Sequence, residues 1–283
     1  MPEPLFLMVE SETADERETR RRSAGKSSGE TFAATLGQLA SEAAFEFVAP
    51  AEEGAEPLSI EQLRRFDAVF LSGSPLHAYD DKPEVHRQLD FMRAVFASGV
   101  PSFGSCAGLQ VACVAAGGRA RSAGARREVG IGRRIVASEA GRTHPLLNGR
   151  PAAWDVFAVH GDEVETLPEG ATLLASNPAA AVQAAEVRSG EGVFWGVQYH
   201  PELSPGEVAA AIERQHDDLK QQGFDDADLA AQRDLLNRLH RDPHDKGARW
   251  RLGVDDQVAR EELRRIELKN FLAFARGERA RRG

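Results

Sequence analysis

The sequence predicts an α/β fold: a doubly wound, mostly parallel sheet flanked by helices, with a C-terminal helical insertion. Three observations carry this expectation. Short β-rich apolar runs alternate with helical patterns through residues 1–205, as parallel strands joined by crossover helices require. One such run ends in a small-residue corner that opens directly into an apolar helix. After residue 205 the strand signals stop, and leucines recur at helical spacing.

Leu5 to Val9 reads as the first strand. The polar segment that follows, with its basic stretch at residues 17–29, has nothing apolar to pack and is expected to be mobile. It reads either as a solvated loop or as a flap on the substrate or partner side. Thr31 to Ala40 reads as helix and Phe45 to Ala49 as strand, and Ser59 caps a short helix. Asp67 to Ser72 is a buried strand running into Gly73-Ser74-Pro75. Pro83 to Ser98 carries Val85, Leu89, Met92, Val95 and Phe96 on one helical face. Val100 to Phe103 is a short strand, and Leu109 to Ala116 a helix closed by Gly117-Gly118. Val193 to His200 alternates like a strand. Beyond it, helices are expected at Gly206 to Gln222, at Asp226 to Leu239 (Leu229, Leu235, Leu236 and Leu239 on one side) and from Gln257 onward. Asp242-Pro243 and Gly247 serve as breaks. The expected division is an α/β domain of residues 1–205 plus 262–283, with residues 206–261 as a helical lid or interface that packs near the site mouth. Trp250, between Arg249 and Arg251, is read as packing that insertion onto the body, with an acceptor-binding patch as the alternative.

Hydrophobic residues make up 42% and charged residues 28% of the 283, enough for a sizeable core. The net charge of −9 opposes general attraction to nucleic acid or to anionic membranes, so neither is an expected partner. Cys106 and Cys113 provide neither a disulfide framework nor zinc-ligand spacing, which points to a reducing, cytoplasmic setting with no metal. The N-terminus lacks the basic region of a signal peptide, and no apolar run reaches the length of a membrane span.

The corner is Phe103-Gly-Ser-Cys-Ala-Gly-Leu-Gln110, which sets Cys106 between Gly104 and Gly108. A residue at a strand-to-helix corner is forced out of the sheet and needs small neighbours, as in the G-x-S-x-G elbow of hydrolases. The helix beginning there offers unpaired N–H groups that favour a thiolate and, notably at Ala107, can stabilise an oxyanion. Taken alone the pattern also suits a buried structural cysteine. A nucleophile needs a base, and the segment Val193 to Glu202, VFWGVQYHPE, supplies one. Pro201 keeps His200 extended, so His200 and Glu202 can project to the same side as a base and its orienter.

Four blocks together resemble the class I, triad-type glutamine amidotransferases, in particular GMP-synthase-like glutaminase domains. They are LSGSP (Leu71 to Pro75), GSCAGLQ (Gly104 to Gln110), VHGDEVETLPEGATLLA (Val159 to Ala175) and GVQYHPE (Gly196 to Glu202). The resemblance spans residues 1–205 and implies a flavodoxin-like α/β sheet. It also implies attack of Cys106 on the γ-amide of glutamine or of a γ-glutamyl compound, through a γ-glutamyl thioester, without a cofactor. His200 and Glu202 would complete the triad, and Ser74 and Ala107 the oxyanion hole. Gly73, Gln110 and the backbone at His160 and Gly161 would hold substrate; a plain turn in which Asp162 bonds its own backbone is the other reading of that last site.

Three departures from the family pattern stand out. Ser74 replaces the second glycine of the usual Gly-Gly-Pro loop, Ala107 replaces a commonly bulky residue and implies a roomier pocket, and about sixty extra residues precede the closing helix Ile266 to Ala275. No nucleotide-binding motif follows, so ammonia would pass to a separate synthetase subunit. The alternatives are a stand-alone γ-glutamyl amine or peptide hydrolase and a catalytically silent glutamine-sensing subunit. A second copy of the chain is the other partner left open.

Overall fold

The computed structural model describes residues 3–124 and 127–282. The chain opens with β1 (Leu5–Val9), α1 (Ala14–Ala24), α2 (Ser28–Leu39) and β2 (Ala44–Val48). Helix α1 overturns the expectation of a mobile loop. It buries none of its residues, so apolar periodicity gives no sign of it; its determinants are local. Thr13 and Glu16 form a capping box, Asp15 and Glu16 lie at the positive end of the helix dipole, Arg21 and Arg22 at the negative end, and Gly25 closes it at φ 77°. A second capping box, Ser27 with Glu30, starts α2 ahead of the expected Thr31.

Next come α3 (Ile60–Leu63), capped by Ser59, then β3 (Ala68–Leu71), α4 (Pro83–Ser98), β4 (Ser102–Ser105), α5 (Ala107–Ala115) and β5 (Arg119–Ser122). A strand-rich stretch follows: β6 (Glu128–Ala137), β7 (Ala153–His160), β8 (Asp162–Thr166), β9 (Ala171–Ser176), β10 (Ala184–Ser189) and β11 (Gly192–Val197). The C-terminal part is helical: α6 (Pro205–Arg214), α7 (His216–Gln221), α8 (Asp226–Arg241), α9 (Lys246–Leu252), α10 (Asp256–Ala259), α11 (Glu261–Arg264) and α12 (Ile266–Arg282).

The main sheet runs β2-β1-β3-β4-β11-β10-β9-β6-β7. Strands β2, β1, β3, β4 and β11 are parallel, the doubly wound part that the sequence predicts; β10, β9, β6 and β7 extend it with antiparallel pairings. Side-chain alternation builds a core on each face. Phe6 and Met8 of β1 join Phe32, Phe70, Phe103, Trp195 and Phe271 under α2 and α12. Leu7 and Val9 join Leu89, Met92, Val95 and Leu109 under α4 and α5.

A third core places the helices that follow residue 205. Val208, Ile212, Leu229, Leu235, Leu236 and Leu239 pack with Phe157 of β7 and Leu203, and Val129, Ile131 and Val159 lie against them. These helices thus cover the outer face of β6 and β7. Ala248 and Leu252 of α9 contribute to that core, whereas Trp250 is 84% exposed, which corrects the reading of Trp250 as the packing residue. The residues two positions before and two after it take the inward face of the helix instead. Gly247 lies inside α9 rather than ending a helix. Among the described residues, no helix is long and apolar enough to cross a membrane.

Candidate active site

Cys106 stands between the end of β4 and the start of α5 with φ 54° and ψ −111°, a conformation that is costly for a residue with a Cβ. The surrounding chain imposes it. The Cys106 N–H donates to the Val197 carbonyl of β11 at 2.8 Å, and the Cys106 carbonyl accepts from Leu109 and Gln110 in the first turn of α5. The flanking glycines are there for backbone approach. A Cβ on Gly104 would lie 2.9 Å from the Gly108 carbonyl carbon, and one on Gly108 would lie 2.8 Å from the Leu71 carbonyl oxygen. Ala107 and Gly108 occupy the first turn of the helix, where N–H groups have no intrahelical acceptor.

His200 follows β11, and its own N–H donates to Phe157 of β7 at 2.9 Å. Its Nδ1 lies 2.7 Å from Glu202 Oε1, and the Ser105 hydroxyl donates to the same oxygen at 2.8 Å. Thr35 of α2 donates to the Glu202 carbonyl at 3.0 Å. Cys106, His200 and Glu202 are thereby brought together, all buried, at one end of the parallel strands. Burial alone would favour a neutral imidazole. The charge of Glu202 and hydrogen bonds with Cys106 and Glu202 outweigh it and raise His200 to about 10. Cys113, by contrast, is fully enclosed on the core face of α5, and burial pushes its thiol up to about 12.

Gly73 is set against this group: a Cβ there would lie 3.2 Å from His200 Cε1. Ser74 keeps a negative φ, since Cys106 and Arg134 are the non-glycine residues with positive φ among those described, so serine fits its backbone without strain. Its hydroxyl accepts from the Leu76 N–H at 3.0 Å and shapes the loop. Gln110 is buried, donates to Gln198 Oε1 at 3.2 Å and lines the same cavity.

The His160 side chain is spoken for on both ring nitrogens, by the Asp162 carbonyl at 3.0 Å and by Glu128 Oε2 at 3.0 Å. Its carboxylate partner is steadied by Asn177 and Gln183. What remains to face a ligand at residues 160–161 is backbone. The alternative reading of Asp162 is corrected: its carboxylate bonds not to its own backbone but to His77 Nδ1 at 2.5 Å and the Tyr79 hydroxyl at 3.1 Å. This ties the loop after Gly73 to the β7–β8 corner.

A cavity of about 590 Å³ opens over Cys106. Beyond the residues named, Arg127 lines it, with its guanidinium bonded to Gln215 and Gln222 and a Gly161 Cβ position 3.5 Å away. The cavity continues past His200 to Glu12, Thr19 and Arg20 near and on α1, and to Ala211, Arg214, Gln215 and Asp218 on and around α6 and α7. Sequence reasoning did not name these residues singly, although Arg20 lies in the basic stretch at residues 17–29, for which a flap was one reading, and Arg214 in the segment expected to pack near the site mouth. Ser105 stood inside the quoted motif, but its role depends on the pairing of β4 with β11; Arg127 carries no local signal.

Known proteins locate the chain. Residues 30–216 match the family described as glutamine amidotransferase class-I. A γ-glutamyl-L-1-hydroxyisopropylamide hydrolase from a Pseudomonas species is 36% identical over 210 residues, 73% of this chain and 70% of that protein. A glutamine-hydrolyzing GMP synthase from Leifsonia xyli subsp. xyli is 35% identical over 149 residues, 53% of this chain but 28% of the synthase. The match thus spans little more than a quarter of that synthase's length. In fold, a glutamine amidotransferase from Thermotoga maritima superimposes with a TM-score of 0.62 at 19% identity, covering 96% of this chain and 98% of the other. A second, from Methylobacillus flagellatus, gives 0.60 at 18% identity, covering 95% and 96%. The chain therefore belongs to the class-I glutamine amidotransferase family and is an enzyme of its amidotransferase and hydrolase kind.

Proposed function

We propose that the protein hydrolyses γ-glutamyl amides of small amines, with Cys106, His200 and Glu202 as the catalytic triad. One observation carries the choice of substrate: the cavity over Cys106 continues past the imidazole to α1 and α6. At about 590 Å³ it is larger than free glutamine needs, and it falls in the range of roughly 300–1,000 Å³ of pockets that enclose drug-sized ligands. Ala107, small beside the nucleophile, leaves that space open. The relative that hydrolyses a γ-glutamyl amide of a C3 amine supports the same reading.

In this mechanism the Cys106 thiolate attacks the γ-carbonyl carbon, and the N–H groups of Ala107 and Ser74 take the developing oxyanion. The tetrahedral species collapses as the imidazolium of His200 gives its proton to the leaving nitrogen, which departs as the free amine. Water then attacks the γ-glutamyl thioester, with His200 accepting its proton. Glutamate leaves, and the thiolate and imidazolium are restored. Glu202 holds the imidazole through Nδ1 and supports its positive charge throughout. Backbone at His160 and Gly161, with Gly73 and Gln110, receives the glutamyl end.

A second reading keeps glutamine as substrate and delivers ammonia to a separate synthetase subunit; the match to the glutaminase part of GMP synthases favours it. Purified protein incubated with glutamine and a panel of γ-glutamyl alkylamides, with glutamate release followed, separates the two. Turnover of the alkylamides at rates above that of glutamine is the expected result. Hydrolysis of glutamine alone, rising when a synthetase is added, would transfer the assignment to the second reading.

A further inference from the structure

Arg20 and Arg214 line the cavity beyond His200, and neither forms an ion pair among the described residues. Arg20 stands on α1, and its guanidinium has no hydrogen-bond or ion-pair partner among the described residues; its Nε is buried without an acceptor. Arg214 ends α6, against which α1 packs, and among the described residues its guanidinium makes a single long hydrogen bond, 3.4 Å, to the Ser23 hydroxyl. Burial and the adjacent charge of Arg20 hold the Arg214 guanidinium down at about 10. Two cations that repel each other across a partly buried cleft are an expense in a chain with 44 carboxylates to place beside them.

The acidic residues nearby bond to neither arginine. Glu12 and Glu207 are the carboxylates facing Arg214, but Glu12 accepts from the Ser28 N–H at 3.0 Å and the Ser28 hydroxyl at 2.8 Å, and Glu207 caps α6 by accepting from the Ser204 N–H at 2.8 Å. Glu16 caps α1 by accepting from Thr13 N–H, and Asp218 faces Arg127. Asp15, exposed at the start of α1, lines the cavity but pairs with neither arginine. Anion capacity therefore goes unused at the pair.

Its place in the cavity says which part of a substrate would use it. His200 hands its proton to the departing nitrogen, so the leaving amine lies on the His200 side. Helix α6 begins three residues after Glu202 on that same side, whereas Gly73, Gln110 and Gly161 hold the glutamyl end. We infer that Arg20 and Arg214 bind an anionic group, carboxylate or phosphate, on the leaving amine, so that the preferred substrates are γ-glutamyl amides of anionic amines. This rests on the γ-glutamyl hydrolase reading above. Paired guanidiniums suit such a group because each offers forked N–H donors to its oxygens.

The test is a comparison of near-isosteric amides that differ in charge: γ-glutamyl-β-alanine against γ-glutamyl-3-aminopropionamide, with γ-glutamyl-O-phosphoethanolamine as the phosphate arm. In the parent, kcat/KM for one or both anionic amides should exceed that for the neutral one by about tenfold or more. In Arg20→Gln and in Arg214→Gln the ratio should fall towards one, whatever happens to the absolute rates, and Arg20→Lys should restore part of it. Circular dichroism confirms that each variant is folded, and Arg20, without partners, is the safer of the two. A parent ratio of one or less for both anions, or a ratio unchanged in both Gln variants, overturns the inference while leaving γ-glutamyl hydrolysis standing. If the parent hydrolyses none of the three secondary amides, the hydrolase reading fails. Calorimetric titration of the parent with the same three amides then decides the anion site: tighter binding of an anionic amide that is lost in Arg20→Gln supports it, and equal binding of all three overturns it.

Discussion

The Ser105 hydroxyl donates a 2.8 Å hydrogen bond to Glu202 Oε1, although the two residues stand 97 positions apart. The residue immediately before the thiol thus holds the carboxylate that holds the imidazole, and the elbow and the His-Pro-Glu segment are fixed as one unit. Removing the hydroxyl leaves the buried Glu202 with one donor fewer and its carboxylate freer to turn. A hydrogen bond to a charged group contributes about 1.5–3 kcal/mol. Ser105→Ala should therefore lower kcat about tenfold or more with little change in KM, because binding of the glutamyl end does not use this contact. Steady-state kinetics check this; a raised KM at unchanged kcat would place Ser105 in substrate binding instead.

Cys106→Ala should abolish turnover, while Cys113→Ala should leave it close to the parent. Position decides between the two thiols: one ends a strand at the cavity, the other is sealed in the core with its thiol pushed up to about 12. An electrophilic glutamine analogue followed by peptide mass mapping should label Cys106 alone. Label on Cys113, or activity retained in Cys106→Ala, would reject the proposed nucleophile.

The elbow should be intolerant of a single methyl group. Gly108→Ala would press its Cβ to 2.8 Å from the Leu71 carbonyl oxygen, a backbone atom of β3 that cannot swing away. Overpacking of this kind costs about 1–3 kcal/mol, and the shift it forces falls on Cys106. The expected outcome is a lower thermal midpoint together with a larger loss of kcat than the loss of stability explains. A variant with parental kcat would show that the close approach has no bearing on the nucleophile.

How much of this was legible in the sequence follows from where each signal resides. Strands β1, β3, β4 and β11 announce themselves because both of their faces are buried, and Cys106, His200 and Glu202 meet because β4 and β11 are neighbours whose ends carry them. The antiparallel extension β10-β9-β6-β7 carries mixed, weaker patterns and was not resolved from them. Helix α1 escaped because it buries nothing and is specified by caps and charges, which a search for apolar periodicity passes over. Trp250 misled for the opposite reason: a large apolar side chain suggests burial, yet the helical phase set by Ala248 and Leu252 turns it outward. The Arg20 and Arg214 pair joins segments from opposite ends of the chain through the packing of α1 on α6, and no local pattern records such a meeting.

The protonation of His200 gives a last expectation, in stability as well as in rate. An unfolded histidine titrates near 6.5, whereas in the fold Glu202 and Cys106 more than offset burial and raise His200 to about 10. Between those values the folded protein holds a proton that the unfolded chain has released. The resulting stabilisation is fully present below about pH 6.5 and is lost as the pH rises to about 10. His200→Ala removes it, so the difference in thermal midpoint between parent and variant should be largest near pH 6 and shrink steadily towards pH 10. Glu202→Gln removes the largest favourable influence on the imidazolium, so the His200 ring titration followed by NMR should move down by about one pH unit or more. In activity, His200→Ala should cost more than Glu202→Gln, since a misoriented imidazole still carries a nitrogen near the thiol. A parent advantage that grows with pH, or a His200 midpoint unmoved in Glu202→Gln, would contradict the pairing of His200 with Glu202 as the source of its charge.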